Sequence, residues 1–418
     1  MPVGRVQHIE DWDCPRLPLP ARLFNTLPDP LAARLLPLDE ASLLKSACRR
    51  TGLRDFGDEG FREPMRMILD DLEADDHLSP LGRLTARSIF SQLLTGRLAV
   101  EDRLKRKPAI HSLEVPAPIV IVGLPRTGTT HLHNLLSRAS SLRFLPMWES
   151  VNPLPVPGRR LPLPDLRRQS NAMRVRMIDY LMPLFRMMHE IDVDLPHEEL
   201  QLSAMNFRSF FFEGSFRLPT YRPWYISSEH SEGYRYLRRV LQVLQDARGH
   251  GRWVLKSPQH LDQFGALTSA FPDARIVRTH RDPVRAVLSL VTMVTYAQRI
   301  CFRNLDFVAE ARSWVDRLEQ MLRDSLEQAD RLPPGQVLDI RFDEFVKDPM
   351  QTVERVLAFA AVDLDEPSRE AIHVHLASHT RDRHGRVAYE FEDLGLDPEE
   401  LHERFRFYRE RFDLCADS

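Results

Sequence analysis

The stretch IVIVGLPRTGTTHLHNLL, residues 119–136, decides the fold. Its first four residues, Ile119 to Val122, form an unbroken apolar run of the length of one buried strand. Gly123 to Gly128 follow as a turn with the spacing G-x-x-x-x-G. Leu132, Leu135, Leu136 and Ala139 then recur at helical spacing, which predicts a helix from about Thr129. Strand, glycine loop and helix in that order present backbone N–H groups and a helix N-terminus to a phosphate. A loop that hydrolyses triphosphates would continue with lysine, but the next residue is Thr129 and the basic group is Arg126, inside the loop. The sequence therefore asks for an anion site made of N–H, hydroxyl and guanidinium groups: Arg126, Thr127, Gly128, Thr129 and Thr130.

Outward from this stretch, three further short apolar runs read as strands: Trp253–Lys256, Arg275–Thr279 and Val337–Arg341. Helical patterns separate them, which argues for a central parallel sheet covered by helices on both faces. Residues 1–110 carry helical spacing and few β-branched residues, and read as a helical N-terminal subdomain. Residues 111–418 read as the α/β domain, with an insertion at about 140–250 for the acceptor and a C-terminal segment of helix and loop. Within the insertion, NPLPVPGRRLPLPD (152–165) reads as an extended proline-rich loop. With 418 residues, 43% hydrophobic and 28% charged, the chain can bury a large core. Its net charge of −3 gives no general affinity for polyanions, so no nucleic-acid partner is expected. Cys14, Cys48, Cys301 and Cys415 lack metal or disulfide spacing, and no segment has the apolar length of a signal or membrane span. A cytoplasmic, metal-free protein is the expectation.

A second basic corner lies at FPDARIVRTHRDPVRAVLSL, residues 271–290. A strand ends near Thr279, Asp282 is placed to cap a helix, and Pro283 suits its first turn. Arg281 stands at that corner beside Arg278 and His280, and Ser289 follows it by two helical turns. A phosphate held by Arg281 and the Ser289 hydroxyl is the expectation.

The two loops together resemble those of P-loop-like sulfotransferases, which use 3′-phosphoadenosine 5′-phosphosulfate (PAPS). Pro125, Arg126, Gly128, Thr129 and Thr130 match the loop that holds the 5′-phosphosulfate in that family, and Arg281 and Ser289 match the pair that holds the 3′-phosphate. GLPRTGTT, with LKSP between the loops, is closer to the tyrosylprotein-sulfotransferase-like branch than to the cytosolic aryl branch. The resemblance covers residues 115–345 and implies the P-loop-like three-layer α/β fold, a PAPS donor and a small-molecule, lipid or glycan acceptor bearing a hydroxyl. One departure is His131, where the cytosolic enzymes place a tryptophan against adenine.

Arg126 and Lys256 are the candidates for electrostatic catalysis. Lys256 ends an apolar strand, and lysine otherwise occurs only at positions 45, 105, 107 and 347. A compact ammonium at a parallel strand's carboxyl end faces the ligand crevice. Ser257 beside it is a further donor-binding candidate. Glu149 is the expected base, because the resembling branch carries a catalytic glutamate at about this distance after the phosphate loop and its apolar flank, Pro146 to Trp148, raises a carboxyl pKa. His189, His197 and the pair Glu198-Glu199 compete for that role. Phe207 to Tyr225 and the methionines Met182, Met187 and Met188 read either as core or as an acceptor pocket. Arg383, Gly385 and Arg386 read either as a basic glycine loop that would close over the nucleotide, as C-terminal loops do in the resembling family, or as a charged surface turn. A nucleotide kinase and a non-catalytic nucleotide-binding protein are the alternative functions.

Overall fold

The structure is a computed structural model and describes residues 6–12, 15–156, 165–378 and 385–414. Residues 157–164 of the proline-rich stretch, Arg383, Cys14 and Cys415 lie outside the described residues. In chain order the strands are β1 (Val6–Gln7), β2 (Ile119–Val122), β3 (Leu142–Arg143), β4 (Arg252–Lys256), β5 (Arg275–His280), β6 (Val337–Arg341) and β7 (Arg386–Val387). Five of them form one parallel sheet in the order β3-β4-β2-β5-β6. β1 and β7 make a separate parallel pair.

Alternation along β2 builds the three layers. Val120 and Val122 join one apolar cluster with Leu255, Ile276, Leu288 and Trp314. Ile119 and Ile121 join another, with Leu132, Leu135, Leu136, Val353 and Val356 from helices on the opposite face. All four β2 side chains are fully buried, worth about 1.5–3 kcal/mol each relative to exposure. A strand buried on both faces must be apolar throughout, which is why this run lacks alternation. The first cluster also contains Leu43, Phe61 and Phe90. They come from N-terminal helices at Glu40–Thr51 and Pro80–Arg106 and from the short turn Glu59–Phe61. Those helices start at side-chain caps: the Asp39 side chain accepts from Ser42 N, and Ser79 from Gly82 N just before Pro80.

Chain order places the site. β2 lies between β4 and β5, so the chain crosses from one side of β2 to the other between them. The crevice at such a switch point, outside the carboxyl ends of the strands, is where ligands bind in open α/β sheets. Val122, Lys256, His280 and Arg341 are the carboxyl-terminal residues of four adjacent strands.

Candidate active site

The loop after β2 folds tightly against β5. A Cβ on Gly123 would come within 2.4 Å of Thr279 Oγ1, so a side chain there would push the loop off the sheet. The Thr127 hydroxyl donates to Leu124 O at 2.6 Å and pairs with the Thr279 hydroxyl at 2.7 Å. Arg126 has φ 71° and Gly128 φ 90°. Left-handed backbone of this kind alternating with ordinary residues makes a concave nest of N–H groups. Gly128 is also the N-cap of the helix Thr129–Leu136, and a Cβ on it would press on Phe342 and Phe345 at 3.0–3.2 Å.

The second basic corner closes on the first. Asp282 caps Pro283–Gln298 by accepting from Val284 N, as the sequence predicts. Arg281 Nη1 donates to Arg126 O at 3.1 Å, and its guanidinium lies 4.4 Å from the Phe342 ring centroid. Arg278 and His280 instead both pair with Asp339, and His280 stacks on Phe412. They anchor the C-terminal helix Arg406–Phe412 rather than facing a ligand.

One cavity of about 1530 Å³ collects the expected groups. Its walls include Arg126, Gly128, Thr129, Thr130, His131, Lys256, Arg281 and Ser289, joined by His189, His197 and Glu198. His131 lies against Phe345, with ring centroids 5.3 Å apart, whereas His133 is fully buried away from the cavity. Much of the remaining wall is apolar, with Leu81, Ile89, Met147, Met182, Met187, Met188, Phe210, Phe211, Phe216 and Met293. The aromatic stretch therefore splits: Phe210, Phe211 and Phe216 line the cavity, while Phe207, Phe212, Tyr221 and Tyr225 pack the core.

Lys256 is gripped from both ends by adjacent glutamates. Its Nζ forms an ion pair with the Glu198 carboxylate, and its backbone N–H donates to Glu199 Oε2 at 3.1 Å. Glu199 is fully buried and also pairs with His260 Nε2, whose Nδ1 meets the Tyr234 hydroxyl at 2.6 Å. Burial pushes the Glu198 pKa up, but Lys256 and then His189 and His197 outweigh it and hold the carboxyl below its ordinary 4.5. Burial is also the main influence on the histidines: it pushes His197 down to about 3 against the pull of Glu198, and lowers His189. At neutral pH the cavity thus holds an ionised carboxylate and two neutral imidazoles.

Four expected site residues are placed elsewhere. Glu149 is 2% exposed and is not in the cavity wall, although its neighbours Met147 and Val151 are. Its carboxylate faces Arg248 Nε at 3.4 Å and Arg143 Nη2 at 3.6 Å. Burial raises its pKa, as the apolar flank predicts, and the group faces two arginines rather than the cavity. The Thr127 hydroxyl is committed to Leu124 and Thr279, so it braces the loop instead of reaching into the cavity. Ser257 is fully buried and caps the turn Pro258–Asp262 by accepting from Gln259 N. Arg386 is exposed in β7, outside the cavity wall, and its neighbour Gly385 reaches the wall instead. Phe342, Val346, Pro349 and His375 also line the cavity and went unread. Phe342 carried a signal, since it directly follows a parallel strand. Among the described residues no group of three or more His, Cys, Asp or Glu side chains is placed to hold a metal ion. No described helix is long and apolar enough to cross a membrane.

The chain has a three-layer α/β fold with two basic strand-to-helix corners on one crevice, and comparison with known proteins places it in a family. A family model described as "Sulfotransferase family" matches residues 118–366, and the chain belongs to that family. Sulfotransferase STF9 from Mycobacterium avium superimposes with a TM-score of 0.79 at 27% identity, covering 91% of this chain and 98% of that one. Sulfotransferase STF1 from Mycobacterium tuberculosis H37Rv gives 0.76 at 27% identity, covering 88% and 98%. An uncharacterized protein of Aquifex aeolicus strain VF5 is 23% identical over 133 residues, 31% of this chain but 16% of its own length, so the match spans a small part of that relative.

Proposed function

We propose that the chain is a PAPS-dependent sulfotransferase acting on a hydroxyl of a small-molecule, lipid or glycan acceptor with a substantial apolar part. The observation that carries this reading is the convergence of Arg126, Lys256, Arg281 and Ser289, from the ends of three adjacent strands, on one cavity that is otherwise walled largely by apolar side chains. The donor set suits a nucleotide with two separate phosphate groups. The N–H groups from Gly128 to Thr130, the two threonine hydroxyls and Arg126 would hold the 5′-phosphosulfate. Arg281 and Ser289 would hold the 3′-phosphate. The glycines at 123 and 128 support this assignment, because they permit a tight loop with left-handed backbone, the kind that forms a nest of N–H groups.

In the transfer, the acceptor oxygen forms a bond to sulfur while the bond from sulfur to the phosphate oxygen breaks. Glu198 takes the hydroxyl proton. Lys256 and Arg126 stabilise the charge that develops on the sulfuryl and departing phosphate oxygens. When Lys256 turns toward that charge, Glu198 loses the cation that depressed its pKa and becomes a stronger base in a buried setting. His189 and His197, neutral at the same wall, orient the acceptor hydroxyl. A nucleotide kinase would call for a loop lysine and a Mg²⁺-binding acid where Thr129 and Lys256 stand.

Binding of 3′-phosphoadenosine 5′-phosphate (PAP) tests the assignment. Arg281→Ala and Ser289→Ala are each expected to weaken PAP by roughly 10- to 100-fold, the loss of a charge-assisted hydrogen bond. Adenosine 5′-phosphosulfate, which lacks the 3′-phosphate, should bind both variants as it binds the parent chain in calorimetric titration. Equal losses for both ligands would remove these residues from a 3′-phosphate site.

A further inference from the structure

Exposed apolar side chains collect on helices that line the cavity. On the helix Arg167–Leu181, Met173, Met177 and Tyr180 are 59%, 51% and 55% exposed and also line the cavity. Their spacing of four and three residues makes them one stripe. Leu84 stands at the same wall at 39% exposure. Nearby, the helix Leu19–Phe24 turns Pro20, Ala21 and Phe24 into the cavity while Leu19 and Leu23, 58% and 60% exposed, face water. Scattered surface leucines are ordinary, but six large exposed apolar residues on helices that line one cavity mark an interaction surface.

Charge says what covers it. Arg22, Arg34 and Arg176, on these helices and on the adjoining Asp29–Leu35, are exposed. The acidic residues of the same helices, Asp29 and Asp179, are each held by an arginine from outside them, Arg303 and Arg186. The collar is therefore apolar and basic on a chain whose net charge is −3. The 15-residue helix Arg167–Leu181 buries only Asn171 and Val175, so it rests shallowly on the protein. Exposed apolar side chains beside exposed arginines suit contact with an anionic membrane surface.

We propose that this collar docks the protein on an anionic lipid bilayer, with the cavity mouth facing the acyl region. The docking surface stands whether or not sulfuryl transfer is correct; entry of a lipid acceptor directly from the bilayer rests on that reading.

Sedimentation of the full chain with vesicles tests the docking without any turnover. The parent chain should bind vesicles of equal parts phosphatidylcholine and phosphatidylglycerol, bind phosphatidylcholine alone far less, and be partly released by salt. Leu19→Glu/Leu23→Glu, and separately Arg22→Glu/Arg34→Glu, should each lower binding to the mixed vesicles about tenfold or more. Thermal unfolding midpoints matching the parent chain would show that both variants are folded. Parent-like binding by folded variants, or no preference for the anionic vesicles, overturns the proposal. So does failure to bind vesicles in a chain that light scattering shows to be a dimer and Leu19→Glu/Leu23→Glu makes a monomer, which would make the collar an interface between copies.

Discussion

Glu198→Gln is expected to lower kcat by roughly 10²–10⁴, the range for loss of a general base, while PAP affinity stays close to that of the parent chain. Glutamine keeps the size and polarity of the side chain and removes its ability to take a proton. Glu149→Gln is the matching control. Its carboxylate faces Arg143 and Arg248 rather than the cavity, so turnover should survive and stability should fall. The pH profile follows with a definite sign. Glu198 is held below 4.5 in the folded chain, so it stays ionised and competent well into the acid range, and activity is lost only as pH falls through that depressed value. The kcat/KM profile of the free enzyme should therefore lack an acid limb near 6.5, the ordinary histidine value. An acid limb there, with near-normal turnover in Glu198→Gln and loss in His197→Ala or His189→Ala, would make a histidine the base.

Lys256→Ala should lower kcat by about 10²–10³, the usual effect of removing one preorganised electrostatic donor. This substitution also strands a carboxylate. Glu198 would keep its largely buried position without its ion-pair partner, a change that typically destabilises by about 3–5 kcal/mol in a buried pair. Stability and chemistry can be separated. The double variant Lys256→Ala/Glu198→Gln should recover most of the melting temperature and none of the activity. Lys256→Arg should not restore turnover, because a planar guanidinium does not fit a socket shaped around a compact ammonium held at its backbone and its tip. Full recovery by arginine would reduce Lys256 to a generic positive charge.

What the sequence made legible follows from how local each signal is. The fold lay in β2, whose four apolar residues are buried on both faces, and in the glycine loop after it. Three other strands of the sheet read correctly to within one residue, because each is a short apolar run between helical patterns. β3 escaped because it has two residues and pairs with β4 alone, too little for any periodicity. Both basic corners were legible for the same reason as β2: Arg126 and Arg281 sit at fixed offsets from strand ends.

The proposed base was not legible, since the choice depends on tertiary aim. Glu149 and Glu198 are both carboxylates next to apolar residues, and both are buried enough for their pKa values to respond. Only the fold turns Glu149 toward two arginines and Glu198 toward Lys256. Thr127 and Ser257 failed in another way. Their hydroxyls stand at positions where a phosphate could be met, but the backbone and Thr279 claim them first. The buried chain Glu199–His260–Tyr234 had no sequence signature at all, because its members are far apart along the chain.

Transfer of ³⁵S from labelled PAPS tests the central claim most directly. The purified chain, with EDTA present, should move label into organic-extractable hydroxyl compounds, and Lys256→Ala should move almost none. Label that stays on the nucleotide with every acceptor fraction while PAP still binds would contradict the account, as would transfer that EDTA abolishes and Mg²⁺ restores.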